Sequence, residues 1–244
     1  MHINEVDIVN KYHHLVYIDK DNVQANPIVW IEEELIKYKG QKVLDFGCGD
    51  GRHREMIKKA DGNWVGVDLL SSPEVDKMKD NSGLRVAYDG NRLPFKDKSF
   101  DIIFSCQALE HVYDLQTVFR ELARVCKIGG KFIGSTSHLE PYHSNSFRSI
   151  TPYGLERILE ETGFKLEGIR AGIDCFSLIC TRIFPYVLPN CLMNILTRII
   201  WSERGSPLNR VINLCGRLKR FDPKTVECIK LLFSGHIVFK AVRR

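Results

Sequence analysis

Five short apolar runs alternate with longer mixed segments between residues 42 and 137. Each run is brief and continuous, as expected for a strand that is buried on both faces of a sheet. The runs are KVLDFG (42–47), WVGVDLL (64–70), LRVAYD (84–89), FDIIFSC (100–106) and GKFIGSTS (130–137). The segments between them are long enough for crossover helices, which parallel strands require. The pattern therefore predicts an α/β fold with a twisted parallel sheet and helices on both faces.

Two segments have the apolar spacing of amphipathic helices. NPIVWIEEELIKYKG (26–40) can begin at Pro27 and stop at Gly40. DLQTVFRELARVCKIGG (114–130) repeats apolar residues every third or fourth position and has an aspartate at its start that can serve as the N-cap. We expect this second helix to run as far as Gly129 and Gly130, because glycine is the usual residue after a helix end.

The last third of the chain changes character. TPYGLERILEETGFKLEGIRAG (151–172) predicts a helix capped by Thr151 and then a strand, whereas the apolar, proline-punctuated stretch that follows predicts two or three short helices. SGHIVFKAVRR (234–244) predicts a closing strand. We expect a single domain over 1–244, which comprises an N-terminal helical cap (1–41), a core (42–174), a helical insertion (175–233) and the last strand (234–244).

Composition narrows the function classes only slightly. The 244 residues are 44% hydrophobic and 27% charged with a net charge of +5, and no basic stripe interleaved with aromatic residues marks a nucleic-acid track. The eight cysteines contain no C-x-x-C pair, so we expect no metal motif and a reducing cytoplasm. The N-terminus does not resemble a signal peptide, and no apolar run approaches the roughly 18 residues of a membrane span.

A glycine-rich loop follows the first predicted strand. In VLDFGCGDGRH (43–53), glycines stand at 47, 49 and 51, and Arg52 occupies the place of the third glycine in a dinucleotide fingerprint. The loop is therefore either an altered phosphate cradle or a site for a ligand without a pyrophosphate. Acidic residues also end the next two predicted strands, at Asp68 and Asp89. Carboxyl ends of neighbouring parallel strands line a binding crevice, so these side chains should meet there.

These motifs resemble the class I S-adenosylmethionine-dependent methyltransferases, in the small-molecule branch of the methyltransferase domain 11 type. VLDFGCGDG resembles the first motif of that family, VGVDLL the second, DGNRLPFKDKSFDIIFSCQALEHV the adenine and following motifs, and RELARVCKIGGKFIGSTS the fifth-strand region. The resemblance covers about residues 42–172 and the closing strand. It implies a Rossmann-like seven-stranded sheet with helices on both faces and a helical insertion before the last strand.

The resemblance also implies S-adenosylmethionine as cofactor and a contact for each of eight residues. Asp45 would lie near the ammonium group, Gly47 and Gly49 beside the methionine moiety, Asp68 on the ribose diol, Leu69 on the adenine face, Asp89 at the adenine amino group, Gly90 at the ring edge and Gln107 by the methionine tail. The cofactor carries no phosphate, which explains why the loop needs no third glycine at position 52.

The acceptor is expected above the ends of the fourth and fifth strands. Histidines there, His111 first and then His138 and His143, have the pKa range that a general base needs. The resemblance implies methyl transfer to a small molecule or glycan, with oxygen as the expected acceptor atom and with a quinone-type C-methyltransferase or a non-catalytic cofactor-binding partner subunit as the alternatives. A dehydrogenase is a further rival.

Residues 175–233 admit three interpretations. The apolar segment can be helical core over the sheet, a homodimer interface, or a peripheral contact with membrane or with a lipid-linked substrate, where Arg198 and Arg204 would stand beside anionic headgroups.

Overall fold

The computed structural model of the protein describes residues 5–18, 24, 26–37, 39–69, 85–141, 143–200 and 206–244. The chain packs as two compact units. The sheet unit is formed by Pro27–Thr136, Ser146–Glu167 and Phe239–Arg244, and the helical unit by Met1–Asn26, Ser137–Asn145 and Gly168–Val238. Leu70 and Leu84, which fall in predicted strands, and Arg204, which falls in a candidate surface, lie outside the described residues.

The predicted α/β fold with a seven-stranded sheet is confirmed. The strands are β1 (Lys42–Phe46), β2 (Asn63–Leu69), β3 (Arg85–Tyr88), β4 (Phe100–Cys106), β5 (Cys126–Ser137), β6 (Phe164–Ala171) and β7 (His236–Arg243). Their order across the sheet is β3-β2-β1-β4-β5-β7-β6, and the pairings from β3 to β5 are parallel. The order reverses between β1 and β4, which is where a crevice opens in sheets of this kind.

The register of the central strands aligns the ends that carry the predicted site. Phe46 of β1 stands beside Val67 of β2, and Leu69 of β2 stands beside Tyr88 of β3. Strands β1, β2 and β3 therefore finish within a few residues of one another along the same edge. These strands are buried and rich in Val, Leu and Phe, the composition of a strand covered on both faces.

Four helices belong to the sheet unit within its described part. They are α2 (Ile28–Lys37), α3 (Arg54–Lys59), α4 (Leu115–Val125) and α5 (Pro152–Glu161). The predicted N-caps of two of them are confirmed: the Asp114 side chain accepts from the Thr117 amide at 3.1 Å, and Thr151 Oγ1 accepts from the Gly154 amide at 3.0 Å. Each cap satisfies an amide that the first helical turn would otherwise leave unpaired.

The predicted C-terminus of α4 is wrong. The helix ends at Val125 and β5 begins at once with Cys126, so the glycine pair 129–130 lies inside the strand. Between Phe100 and Ile102 the pairing with β5 slips from Cys126 to Lys131, so the intervening residues form an irregularity. Gly129 has a φ of 78°, and a Cβ on Gly130 would stand 2.8 Å from the Asp101 carbonyl oxygen. The glycines therefore serve a bulge rather than a helix end.

Five helices belong to the described part of the helical unit. They are α1 (Glu5–Tyr12), α6 (Cys175–Val187), α7 (Asn190–Ile200), α8 (Pro207–Lys219) and α9 (Pro223–Leu232). The stretch after Gly172 thus holds four helices rather than the two or three predicted. Pro207 and Pro223 each stand in the first turn of a helix, after the caps Ser206 and Asp222, so these prolines begin helices instead of interrupting them.

The predicted last strand is confirmed as β7. At its start the backbone pairs in antiparallel fashion with residues after β5 and after β6, because His138 and Leu139 donate to the carbonyls of Gly235 and Ser234, and Gly172 donates to His236. A final antiparallel strand between two others accounts for the order β5-β7-β6.

Replacing Thr151 tests the cap of α5. We expect Thr151→Ala to lower the free energy of unfolding by about 1 kcal/mol, since the Gly154 amide loses its acceptor. Thr151→Ser keeps the hydroxyl and should stay within a few tenths of a kcal/mol of the wild type. Urea unfolding of the three proteins measures the difference, and equal losses for both variants would contradict the cap.

Candidate functional site

The loop after β1 brings bare backbone to the carboxyl edge of the sheet. Gly47, Gly49 and Gly51 all have positive φ, at 71°, 52° and 75°. A Cβ on Gly47 would overlap the Cβ of Ala108, which follows β4. Only glycine therefore lets the loop pass this close to the end of β4 while keeping its turn. The loop leads directly to α3.

Asp68 fastens this loop to the end of β2. Its Oδ2 accepts from the Gly49 amide and its Oδ1 from the Leu69 amide, both at 2.7 Å. A carboxylate has about four acceptor positions, so two backbone bonds leave capacity for ligand hydroxyls. The arrangement holds the carboxylate in one orientation before any ligand arrives.

Asp45 is a buried acid beneath the loop. Its Oδ2 accepts from Trp64 Nε1 at 2.9 Å, and its Oδ1 has no hydrogen-bond partner within the described part of the chain. Burial raises the pKa of this carboxyl to about 7 against the lowering effect of the Trp64 bond, and the charges of Asp68 and Asp50 raise it further. A buried acceptor without a partner is costly, and a cationic ligand group or a water that bridges to one would satisfy it. Trp64 was not singled out from the sequence, where it is only the first residue of an apolar run.

Asp89 and Gly90 follow β3. The Asp89 Oδ1 accepts from the amides of Asn91 and Arg92 at 2.8 and 3.2 Å, and these bonds lower the pKa of the exposed carboxyl. Gly90 has a φ of 89°, and a Cβ there would stand 3.4 Å from Leu69 Cδ2. The Leu69 side chain and the Gly90 backbone are thus neighbours, and together they form an apolar wall beside a fixed carboxylate.

Gln107 lies at the end of β4 in a left-handed conformation with a φ of 53°. Its amide donates to the Ser135 carbonyl at 3.1 Å and its Nε2 donates to Ser135 Oγ at 3.0 Å, so β5 fixes both its backbone and its side chain. The structure thus places all eight residues predicted for the cofactor at the carboxyl ends of β1 to β4. Their individual contacts with a cofactor stay predictions.

A one-turn 3₁₀ helix at Leu109–His111 follows Gln107. Within it Glu110 is fully buried, and its Oε2 accepts from Thr136 Oγ1 at 3.1 Å while its carbonyl accepts from the Phe147 amide at 2.9 Å. His111, the first candidate base, is half-buried next to this anchored residue. The buried acid thus fixes the turn that carries the histidine.

The other two candidate bases belong to the helical unit. His138 has its Nδ1 3.5 Å from Ser234 Oγ, and burial lowers the pKa of its imidazole. His143 has its Nδ1 3.3 Å from the Pro141 carbonyl and 3.6 Å from Glu140 Oε1. An Nδ1 that faces oxygen acceptors carries the proton in the neutral ring, so Nε2 is left as the basic nitrogen.

Glu140 is the centre of a charged cluster in this unit. It accepts from Ser137 Oγ at 2.5 Å, Arg182 at 2.7 Å and His236 Nε2 at 3.0 Å. Burial raises the pKa of the Glu140 carboxyl, but the bonds from His236 and Ser137 outweigh this and bring the pKa to about 2. We refer to Glu140 with its three partners and His143 as the Glu140 cluster. His236 was not predicted, because 96 residues separate it from Glu140 and nothing in the closing strand marks it.

Comparison with known proteins agrees with this geometry. Residues 44–134 match the family model described as a methyltransferase domain. Sterol 24-C-methyltransferase of Aspergillus fumigatus is 36% identical over 102 residues, which cover 38% of this chain and 27% of that protein. Ubiquinone biosynthesis O-methyltransferase of Bordetella avium is 32% identical over 120 residues, 46% of this chain and 49% of that protein. The chain thus spans about a quarter to a half of the length of these two relatives.

A solved structure shares the fold over nearly the whole chain. An S-adenosylmethionine-dependent methyltransferase from Mesorhizobium loti superposes with a TM-score of 0.54, at 16% identity, and the match covers 90% of this chain and 99% of the other.

The sheet order, the glycine loop and the strand-end acids define a class I methyltransferase fold with its cofactor crevice. Residues 44–134 are therefore similar to a methyltransferase domain, and the sheet has the fold of the S-adenosylmethionine-dependent methyltransferases. The similar proteins are named as S-adenosylmethionine-dependent, and the residues present fit this cofactor, because its ammonium and sulfonium charges suit the Asp45 carboxylate oxygen that has no partner within the described residues.

The raised pKa of Asp45 predicts a pH-dependent stability. The unfolded chain releases this proton near pH 4 and the folded chain near pH 7, so in between the folded state binds more protons and stability falls as pH rises. Between pH 5 and pH 8 we expect the wild type to lose about 3 kcal/mol relative to Asp45→Asn. Urea unfolding across this range measures it. Asp97→Asn, at an exposed acid, should follow the wild type, and parallel curves for all three proteins would contradict the assignment.

Proposed function

We propose that this chain transfers a methyl group from S-adenosylmethionine to a small-molecule acceptor. The observation that carries the proposal is the buried Asp45 carboxylate, whose Oδ1 lacks a partner within the described residues, beneath a glycine loop that Asp68 holds in place. A site built for a dinucleotide would present amides to phosphate, whereas this one presents acids, which suit the cationic ends of S-adenosylmethionine.

In this proposal Asp45 and Asp68 bind different polar groups of the cofactor. Asp45 receives the ammonium group, directly or through one water, while the backbone at Gly47 and Gly49 lies along the methionine moiety. Asp68 accepts from the two ribose hydroxyls with the lone pairs that its bonds to Gly49 and Leu69 leave over. Because Asp68 is already oriented by backbone amides, little conformational entropy is lost when the ribose binds.

The adenine occupies the next two strand ends. Leu69 packs on one face of the ring and the Gly90 backbone lies at its edge, while Asp89 accepts from the exocyclic amino group. At the end of β4, Gln107 lies beside the methionine tail of the cofactor, and its side chain is fixed by the hydrogen bond to Ser135. Each of these residues sits on or directly after a strand of the rigid sheet, which is the placement that a preorganised site requires.

Bound S-adenosylmethionine supplies an electrophilic methyl group on its sulfonium sulfur. In the transfer, the bond from sulfur to the methyl carbon would break as the bond from the acceptor atom to that carbon formed, and the sulfur would keep the electron pair. The task of this chain is to align acceptor, methyl and sulfur, and to accept the proton that a hydroxyl acceptor releases.

We further propose oxygen of a small molecule or glycan as the methyl acceptor, with His111 as the first candidate for the base and His138 and His143 as the next. The lowered pKa of His138 keeps its ring neutral at pH 7, as a base requires. His143 presents Nε2 as its basic nitrogen, and Glu140 stands ready to stabilise the imidazolium that forms. In this role Glu140 is a positioning residue.

Carbon methylation is the alternative, since a relative named as a sterol C-methyltransferase matches the core as well as one named as an O-methyltransferase. A non-catalytic cofactor-binding subunit is the other alternative, because the strand-end residues support binding more directly than transfer. A screen with methyl-labelled S-adenosylmethionine against pooled metabolites, followed by mass spectrometry of any labelled product, separates all three. Labelled oxygen supports the proposal, labelled carbon supports the first alternative, and cofactor binding without a product supports the second.

Asp68→Asn tests the cofactor site itself. The amide keeps one acceptor for the Gly49 amide but removes the charge, so we expect S-adenosylhomocysteine to bind about tenfold to a hundredfold more weakly. Asp97→Asn changes an aspartate that is 70% exposed in its side chain and precedes β4, so it should bind like the wild type. Isothermal titration calorimetry measures both. Unchanged affinity in Asp68→Asn, or tight binding of NAD to the wild type, would refute the proposed site.

Single histidine variants test the base once an acceptor is known. The variant that lacks the base should lose a factor of about 10² to 10⁴ in kcat and lose the fall in kcat that the wild type shows as pH drops through the pKa of that histidine. If His138 is the base, this fall lies below the pH expected of an ordinary histidine. His14→Ala, at an exposed histidine, is the control. Full activity in His111→Ala, His138→Ala and His143→Ala would contradict general-base catalysis by any of the three.

A further inference from the structure

Helices α6 and α7 expose apolar side chains at helical spacing. On each helix these residues recur every three or four positions, so they form a stripe along one face. Tyr186 is the most exposed of them, at 89%. The exposed residues are Phe176, Ile179, Ile183, Tyr186 and Val187 on α6, and Leu192, Ile195 and Ile199 on α7.

Helix α8 repeats the arrangement. Val211, Leu214 and Leu218 are exposed at positions i, i+3 and i+7, and Leu218 reaches 76%. The opposite face carries Ile212 and Gly216, which are buried. The helix is therefore held to its unit by one face and presents a second apolar stripe outward. Exposed apolar surface of this extent is rare in a protein that has no partner for it.

The charges on helices α6, α7 and α8 have one sign. Residues 175–200 and 206–221 contain no aspartate or glutamate. Their basic side chains are Arg182, Arg198, Arg210, Arg217, Lys219 and Arg220. Arg182 pairs with Glu140 of the Glu140 cluster, and the remaining cations add positive charge next to apolar surface.

This charge pattern favours an anionic bilayer over a second copy of the chain as the binding partner of the apolar stripes. A second copy of the chain docked through the same face would place arginine against arginine, which like-charge repulsion disfavours. An anionic bilayer surface offers phosphate to the cations and hydrocarbon to the apolar side chains, and an amphipathic helix lying in the interface gains from both. Within the described residues no helix is long and apolar enough to cross a bilayer, so contact would be made at the surface.

We propose that the helical unit binds the surface of anionic membranes through the exposed apolar stripes of α6, α7 and α8. The apolar side chains enter the boundary between headgroups and acyl chains, and the flanking arginines and lysine bind lipid phosphates. Tyr186, with an apolar ring and a polar hydroxyl, belongs at the level of the headgroups. This inference is independent of the methyl acceptor and goes beyond the proposed activity.

Vesicle flotation of the 244-residue chain tests the proposal. The purified protein should float with vesicles of phosphatidylcholine containing about 30 mol% phosphatidylglycerol. It should float at least tenfold less with phosphatidylcholine alone, or when about 0.5 M NaCl screens the headgroups. Arg210→Gln with Arg217→Gln should lower the partition coefficient by more than tenfold, since each cation near such a surface contributes about a factor of five.

Two further variants test the apolar stripes, with a matched control. Ile183→Glu with Ile195→Glu, and Val211→Glu with Leu218→Glu, change only exposed positions and should each abolish flotation. Ile36→Glu changes an isoleucine that is 75% exposed on α2 of the sheet unit and should float like the wild type. Binding of S-adenosylhomocysteine shows that every variant is folded.

Three results would overturn the proposal. They are no flotation of the wild type with anionic vesicles, flotation of either glutamate pair at the wild-type level, and a stable dimer in analytical ultracentrifugation that the glutamate pairs convert to monomer. The last result would assign the stripes to an interface between copies of this chain.

Discussion

The proposed cofactor crevice depends on Asp45, a buried carboxylate for which the described part of the chain provides a partner to one oxygen and none to the other. Asp45 is buried in β1, and the Trp64 indole donates to one of its two oxygens. The protein therefore carries an electrostatic cost at this point that a cationic ligand relieves. Asp68 and the glycine loop arrange the rest of the crevice around that acid, since Asp68 binds the loop amide and the end of its own strand together.

The helical unit exposes apolar side chains that its own fold does not cover. Burial of one face of helix α8 stabilises the unit. Apolar side chains on the outer faces of α6, α7 and α8 stay exposed and add nothing to that stability. The Glu140 cluster lies in this unit and gathers Ser137, Arg182 and His236 around one carboxylate. A cluster of this type holds side chains from distant parts of the chain in fixed orientations, which a loop of polar residues alone does not achieve.

Local pattern was sufficient for much of the fold. The strands were predicted to within a few residues, with the exception of the start of β5, because short apolar runs between polar segments have few other uses in a chain of this size. The caps at Asp114 and Thr151 were also predicted, since capping is a local bond. The end of α4 was not. Whether a glycine pair stops a helix or forms a bulge depends on the pairing with β4, which no local pattern contains.

The sequence by itself determined the fold class and the residues at the strand ends, because short apolar runs alternate with helical segments and the motifs follow consecutive predicted strands. Only the tertiary structure decided which partners those residues take. In the folded chain Trp64 donates a hydrogen bond to Asp45, and the Gly49 amide donates one to Asp68. His236 pairs with Glu140 across 96 residues, and the apolar faces of α6, α7 and α8 are exposed. Periodicity shows that a helix has an apolar face, but whether that face is covered depends on contacts between segments far apart in the chain.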